Sequence, residues 1–255
     1  MGAALLLIAA GAAPASAEGV ATPRACVAPS ELVRLNYPLP RTGARLAAGL
    51  PLTIVAIGSS STAGAGASAP AFSYPSRLEA ELRAMFPRAS ISVINRGVGG
   101  ETARDMLARF DREVFAAHPD LVLWQVGSNS VLRDQPVAPA ASLLRQGLER
   151  LKAARIDVVL MNPQYAPKVL AKPEVDHMVD LIDATARETQ ADLFQRFAVM
   201  RYWRLTEDIP FAAFLSPDEL HMNDWSYGCI AKLMATAIAE AAMRKTMTAT
   251  SGTGR

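Results

Sequence analysis

Histidine, cysteine and aromatic residues are scarce in this chain: three histidines, two cysteines and an aromatic share of 6% in 255 residues. So few Cys and His, with no cluster at ligand spacing, give no basis for a zinc centre. There is no basic block and no aromatic ladder. The 26 Lys and Arg are interspersed with the 24 Asp and Glu, so the formal charge is +2 and nothing marks a nucleic-acid surface. No internal repeat occurs, and no linker of Gly, Ser or Pro cuts the body in two. One domain is therefore the economical organisation for this length. Gly64-Ala65-Gly66 is followed by no Gly-Lys-Ser/Thr and is not a phosphate loop.

What is present is a foldable chain, with 51% hydrophobic and 20% charged residues. Gly2 to Ala13 is small and apolar and leads into Ala15-Ser16-Ala17, a small-x-small pattern that a signal peptidase would cut before Glu18. Residues 1–17 thus read as an export signal, without the usual Lys or Arg ahead of the apolar core, and the protein is expected to be periplasmic or secreted. The run is short for a bilayer crossing, and no Cys follows the cut as a lipoprotein would need. In an oxidising compartment Cys26 and Cys229 could pair, closing a loop on the order of 200 residues, a cross-link the chain-entropy model makes strongly stabilising. The alternative is two unrelated thiols, with Cys229 a small buried hydrophobe.

Residues 18–50 are rich in Pro, Ala and Arg without sustained periodicity, and read as an extended arm over the domain surface. Strand-like runs follow at Thr53 to Ile57, Ser92 to Asn95, Leu121 to Val126 and Val158 to Met161. Helical spacing occupies Tyr74 to Phe86, Thr102 to Ala117, Pro136 to Ala154, Pro173 to Thr189 and Asp224 to Met243, with Pro139 suited to a first turn. This alternation predicts an α/β fold: a three-layer α/β/α sandwich around a mostly parallel sheet, spanning residues 51–245, with a frayed polar tail at 246–255.

In such a sheet ligands bind beyond the carboxyl ends of the strands. The first strand ends in Gly58-Ser59-Ser60-Ser61-Thr62, the second in Gly97-Val98-Gly99-Gly100-Glu101-Thr102, and the third in Gly127-Ser128-Asn129-Ser130. Each supplies hydroxyls, or closely approaching backbone amides and a carboxamide. Near the C-terminus, Asp218 precedes His221 by three residues on a turn. There an acid can reach Nδ1 and leave the other nitrogen to take a serine proton.

These four elements, in this order, resemble the SGNH hydrolases, the GDSL-type esterases and lipases; the resemblance covers residues 53 to about 240. It implies a flavodoxin-like fold, Ser60 as nucleophile, His221 as base and Asp218 as its acid. The oxyanion would be held by the backbone N–H groups of Ser60 and Gly100 and the side-chain amide of Asn129. No metal or organic cofactor is implied. Two positions depart from the family's usual pattern: Ser59 stands where Asp is usual, and Ser130 where Asp commonly follows the asparagine.

Taken singly, each of these residues has an ordinary reading. Gly-Ser clusters after strands are mostly turns and caps, and Ser61 and Thr62 are expected to be caps. Gly97, Gly99, Gly100 and Asn129 are turn formers in most settings. His118 fits a helix C-terminus and His177 a polar helix. Glu219 and Asp224 are rival acids, with Asp224 expected to cap the last helix. The aromatics from Phe197 to Phe214 read as packing, although Tyr202, Trp203 or Phe214 could edge an acyl or sugar pocket. The ordered constellation favours an exported serine esterase acting on a small-molecule or glycan ester, with neither nucleic acid nor stable membrane insertion involved. The alternatives are an O-acyltransferase using the same acyl-enzyme, or a non-catalytic carbohydrate-binding module on this scaffold.

Overall fold

The computed structural model describes residues 25–244; the segment read as an export signal and the tail at 246–255 lie outside the described residues. Leu52–Gly58 forms β1, in which Ile54, Val55, Ala56 and Ile57 are fully buried. A strand covered by helices on both faces needs such a run, each large side chain contributing roughly 1.5–3 kcal/mol. Ile91–Gly97 (β2), Leu121–Gln125 (β3), Asp157–Met161 (β4) and Asp192–Phe194 (β5) complete one sheet. It is parallel throughout, in the order β2-β1-β3-β4-β5. The chain runs outward from β1 to β2 and then returns past β1 to β3, so the strand order reverses between β1 and β3 and opens a crevice at their carboxyl ends. Gly58 lies opposite Gly97 and Ile57 opposite Trp124. The loops leaving these three strands therefore emerge side by side.

Among the described residues, six helices have eight or more residues: α1 Pro40–Ala47, α2 Tyr74–Met85, α3 Ala138–Ala153, α4 Val175–Thr189, α5 Arg196–Leu205 and α6 Asp224–Met243. Prolines sit in the first turns of α1, α2 and α3, where the missing N–H costs nothing. Helices α2 and α6 pack together, and α3 packs on α4 and on the turn Ala103–Ala108. These are the two outer layers of the sandwich. Among the described residues no helix is long and apolar enough to cross a membrane.

Several local expectations are corrected. The arm is not extended throughout: it carries α1 and a turn at Ser30–Val33, and Leu35 and Leu39 are buried. These pieces are too short to show periodicity, and tertiary contacts hold them. Leu39 N–H donates to Ala241 O (3.2 Å), Arg244 donates to Leu35 O (2.6 Å) and Tyr37 O (3.1 Å), and Cys26 is disulfide-bonded to Cys229 in α6. The expected single helix at Thr102 to Ala117 is three pieces: Ala103–Ala108, Phe110–Glu113 and the 3₁₀ turn Phe115–Ala117. The first break falls at Arg109, whose side chain turns inward. Strand β5 escaped sequence reading because three residues, one of them Asp192, are too few to display a period. Asn223, not Asp224, caps α6, its side chain accepting from Ser226 N–H (3.1 Å). Ser61 and Thr62 do not cap; both are buried within the turn Ser60–Ala63. Trp203 and Phe214 are fully buried against each other, and Tyr202 OH donates to Glu207, so all three are accounted for by packing or a local bond. His118 does close its 3₁₀ turn, with φ +48°.

Candidate active site

Strand β1 delivers Ser60 to the carboxyl end of the sheet as the first residue of a one-turn helix. Its N–H therefore has no acceptor within that turn. Ser60 is half-buried, and its Oγ lies 2.8 Å from His221 Nε2. His221 comes from the other end of the sequence, on a loop closed by the antiparallel bridge between Leu215 and Met222 and by Ser216 N–H donating to His221 O (2.8 Å). Beneath this loop runs Gly66, with φ +87°. A Cβ there would stand 2.5 Å from Met222 O and 2.9 Å from His221 Cβ, so the approach requires glycine.

Asp218 Oδ2 is 2.5 Å from His221 Nδ1. Its Oδ1 accepts from Ser216 Oγ (2.6 Å), Leu220 N–H (3.0 Å) and His221 N–H (2.9 Å). Burial works to raise this carboxyl, but those donors and the histidine ring outweigh it, and Asp218 is held well below the usual carboxylate range. An ionised carboxylate only accepts, so Nδ1 carries the ring proton and Nε2 is left to accept from Ser60. Neither rival acid is bonded to the ring. Glu219 is exposed, and Asp224 accepts from Ser68 N–H (2.8 Å) and Ser68 Oγ (2.5 Å).

The loops after β2 and β3 close on the same edge. Val98 N–H donates to Gly58 O (3.0 Å), and Asn129 Nδ2 donates to Glu101 O (2.8 Å). One amide hydrogen of Asn129 is thus committed and the second is available. Gly100, at φ +81°, lies where a Cβ would be 2.9 Å from Arg133 Nη2. Of the five residues singled out from the sequence, Ser60, His221 and Asp218 are in direct contact, Asn129 is tied to the loop after β2 through Glu101 O, and Gly100 lies on that loop. What sequence reading missed is the scaffold beneath them. Arg109 Nη2 joins Glu101 Oε2 (2.7 Å), Arg96 O (2.6 Å) and Gly58 O (3.5 Å), clamping the β2 loop to β1. Gln125 Oε1 accepts from Ser59 N–H (2.9 Å) and Ser59 Oγ (2.8 Å). Neither carries a motif signal; an arginine on a helix and a glutamine ending a strand read as solvated or neutral positions.

Depressions flank the site. One of 540 Å³ adjoins the histidine loop at Gly66, Ser216 and Pro217, and one of 350 Å³ adjoins the other side at Thr102, Ser130 and Arg133. A larger cavity of 690 Å³ is lined by Tyr37, Asp157 and Asp192. It lies at the amino ends of β4 and β5, the wrong end of a parallel sheet for this chemistry. Among the described residues no group of three His, Cys, Asp or Glu is placed to hold a metal ion.

The model of the Non-GDSL lipase-like family matches residues 25–244. An acetylxylan esterase of Geobacillus stearothermophilus is 42% identical over 52 residues, which are 20% of this chain and 24% of that one. An arylesterase of Vibrio mimicus is 28% identical over 145 residues, 57% of this chain and 68% of its own. Among solved structures, a two-domain esterase (CEX) active on acetylated mannans superposes with a TM-score of 0.66 at 21% identity, over 83% of this chain and 56% of that one. LAE5, an alpha/beta hydrolase from the metagenome of Lake Arreo, Spain, superposes with a TM-score of 0.62 at 24% identity, over 74% of this chain and 95% of that one. This chain thus spans about a quarter of the acetylxylan esterase and little over half of the two-domain esterase, and the structural likenesses are likenesses of fold.

Proposed function

This chain belongs to the Non-GDSL lipase-like family, and on that premise we propose that it is a serine esterase of the SGNH type that hydrolyses carboxylic esters, acetyl esters of glycans foremost. The observation that carries the reading is the unbroken contact from Ser60 Oγ to His221 Nε2 and from His221 Nδ1 to Asp218. His221 takes the Ser60 proton as Oγ attacks the ester carbonyl, and Asp218 stabilises the imidazolium that forms. The N–H groups of Ser60 and Gly100 and the second amide hydrogen of Asn129 hold the oxyanion, each donor worth about 3 kcal/mol. His221 returns the proton to the departing alcohol. Water then attacks the acyl-Ser60 ester by the same steps reversed. Residues 51–245 form the catalytic domain and the arm is its brace.

The glycan preference is supported by the similarity to an acetylxylan esterase and to an esterase active on acetylated mannans. Export is supported by the Cys26–Cys229 bond, which persists in oxidising compartments. A fluorophosphonate probe tests the nucleophile: wild-type protein labels at Ser60, and Ser60→Ala neither labels nor hydrolyses p-nitrophenyl acetate. Wild type that fails to label, or a Ser60→Ala variant as active as wild type, ends the proposal. Acetate release from acetylated xylan and mannan then ranks the glycans.

A further inference from the structure

Beneath Ser60 and His221 lies a line of buried polar side chains that the proposed reaction does not itself use. Arg196 is wholly buried. Its Nε donates to Asn162 O (3.0 Å) and its Nη2 to Gln164 Oε1 (3.0 Å), while Nη1 has no partner. Ser128 Oγ donates to the same Gln164 oxygen (2.8 Å), and Gln164 Nε2 faces Leu220 O (3.4 Å). Gln125 Nε2 lies 3.5 Å from Ser128 Oγ, and Gln125 Oε1 receives both protons of Ser59.

We infer that Gln125, Ser128 and Gln164 form a positioning relay that holds Ser60 against His221, with Arg196 fixing the direction of every hydrogen bond in it; the inference rests on the esterase reading above. A guanidinium can only donate, so Gln164 must turn its oxygen to Arg196 and its nitrogen to Leu220. With that oxygen also taking the Ser128 proton, the Ser128 lone pairs are left for Gln125 Nε2. Gln125 then has its oxygen, and not its nitrogen, toward Ser59. Turning either amide over would set donor against donor at Ser59 or at Arg196. One end of the relay grips the residue before the nucleophile and the other the residue before the base. Each residue in it thus acts through another and touches no substrate. The arrangement is a costly way merely to fill space. A buried cation with an unpartnered nitrogen is a liability that an apolar side chain of similar size would remove.

The test uses Gln125→Met, which keeps the volume and removes both polar atoms, Ser128→Ala, which removes one hydroxyl, and Gln125→Glu, whose buried carboxyl is held protonated and so keeps an acceptor toward Ser59 and a donor toward Ser128. For each, kcat and KM on p-nitrophenyl acetate and the rate of fluorophosphonate labelling are measured well below its melting temperature. The relay predicts that Gln125→Met and Ser128→Ala lower kcat and labelling about tenfold to a hundredfold, the cost of a small misplacement, with KM unchanged within about twofold. Gln125→Glu restores most of the loss. A purely structural role would lower the melting temperature and leave kcat and labelling at wild-type values, and that result overturns the inference. So does a loss confined to KM. Should Gln125→Met not fold, Ser128→Ala decides alone. Wild type that neither labels nor turns over would refute the esterase reading itself; active wild type with unaffected variants refutes the relay only.

Discussion

Replacing Asp218 by Asn changes one atom and tests the proposed acid–base pair most sharply. In the variant Oδ1 keeps its three donors, from Ser216, Leu220 and His221, so the loop retains its shape. Nδ2 takes the place of Oδ2 and faces His221 Nδ1 as a donor against a donor. The ring relieves this by moving its proton to Nε2, the nitrogen 2.8 Å from Ser60 Oγ, which then cannot accept the serine proton. The variant also loses the carboxylate's attraction for the imidazolium. With charge centres about 4 Å apart this is worth about 4 kcal/mol near a protein surface and about 1 kcal/mol in water. The Asp218 side chain is 43% exposed, which places it between those limits, so the charge accounts for a loss of about ten- to a thousandfold at 1.4 kcal/mol per decade. With the tautomer change added, kcat/KM on p-nitrophenyl acetate should fall about a thousandfold, chiefly in kcat, with an unchanged melting temperature. A folded variant losing less than about tenfold would refute the assignment of the acid. The wild-type pH dependence follows from the same site. An ordinary aspartate protonates near pH ~4; Asp218 is held below that. Its contribution to stability is therefore present above about pH 4 and fades only as pH falls through the lower folded value. Rate lost on acidification to about pH 5 does not come from its protonation.

Three further outcomes are expected. Removing the Cys26–Cys229 bond opens a constraint spanning 203 residues, worth about 5 kcal/mol in the chain-entropy expression. A Cys26→Ser, Cys229→Ala protein should thus melt at least ~10 °C lower by calorimetry, and a fall under ~4 °C would refute the argument. Gly66→Ala pushes a methyl group toward His221 Cβ at a positive φ. It should destabilise by about 1–3 kcal/mol and lower kcat at least tenfold, whereas wild-type kinetics would show that the loop yields freely. Asp192 is pushed up to about 6 by burial, against the N–H groups of Tyr37 and Asn36. Because its folded value exceeds the unfolded one, the stability it contributes is full below about pH 4 and lost as pH rises through 6. Asp192→Asn, neutral throughout, should recover at most about 3 kcal/mol above pH ~7 and nothing near pH ~4, and a gain in melting temperature independent of pH would contradict the shift.

The sheet and the candidate catalytic loops were legible because β1, β2 and β3 each announce themselves by an apolar run with β-branched residues that leads into a glycine, Gly58, Gly97 and Gly127. A buried parallel strand that must deliver side chains at its end requires that pattern. Ser60, Gly100, Asn129, Asp218 and His221 could be named because their order along the chain is informative even when each is ordinary alone. The pairing of Asp218 with His221 was readable from local spacing, since three residues on a turn fix it. What could not be read depends on distant partners. Strand β5 is held by pairing of Leu193 with Leu160 and Phe194 with Met161, not by its own pattern. Helix α1 is defined by its packing on α6 and by Asp157, which accepts from Thr42 N–H (2.7 Å). Arg109, a helical residue by spacing, is taken out of its helix because Glu101 and two carbonyls call for a buried donor.

The departure at position 59 shows how such distant partners specify a residue that a motif comparison marks as odd. Ser59 offers two protons, from N–H and Oγ, to the single oxygen of Gln125. An aspartate in its place, as the SGNH pattern usually has, would turn a carboxylate toward that oxygen, acceptor against acceptor. Gln125 would have to reverse and present its nitrogen, bringing its oxygen to Ser128. The Ser128 proton, however, already goes to Gln164, and Gln164 cannot turn its nitrogen outward to release it while Arg196, which only donates, lies 3.0 Å from its oxygen. The choice of a hydroxyl at 59 is therefore coupled to a glutamine at the end of β3 and, through it, to a buried arginine in α5. Placing aspartate at 59 alone would set the neighbour of Ser60 against Gln125 and the side chains behind it. Position 59 is matched to its own core, and the Gly58-Ser59-Ser60 motif is complete only when Gln125 is read with it.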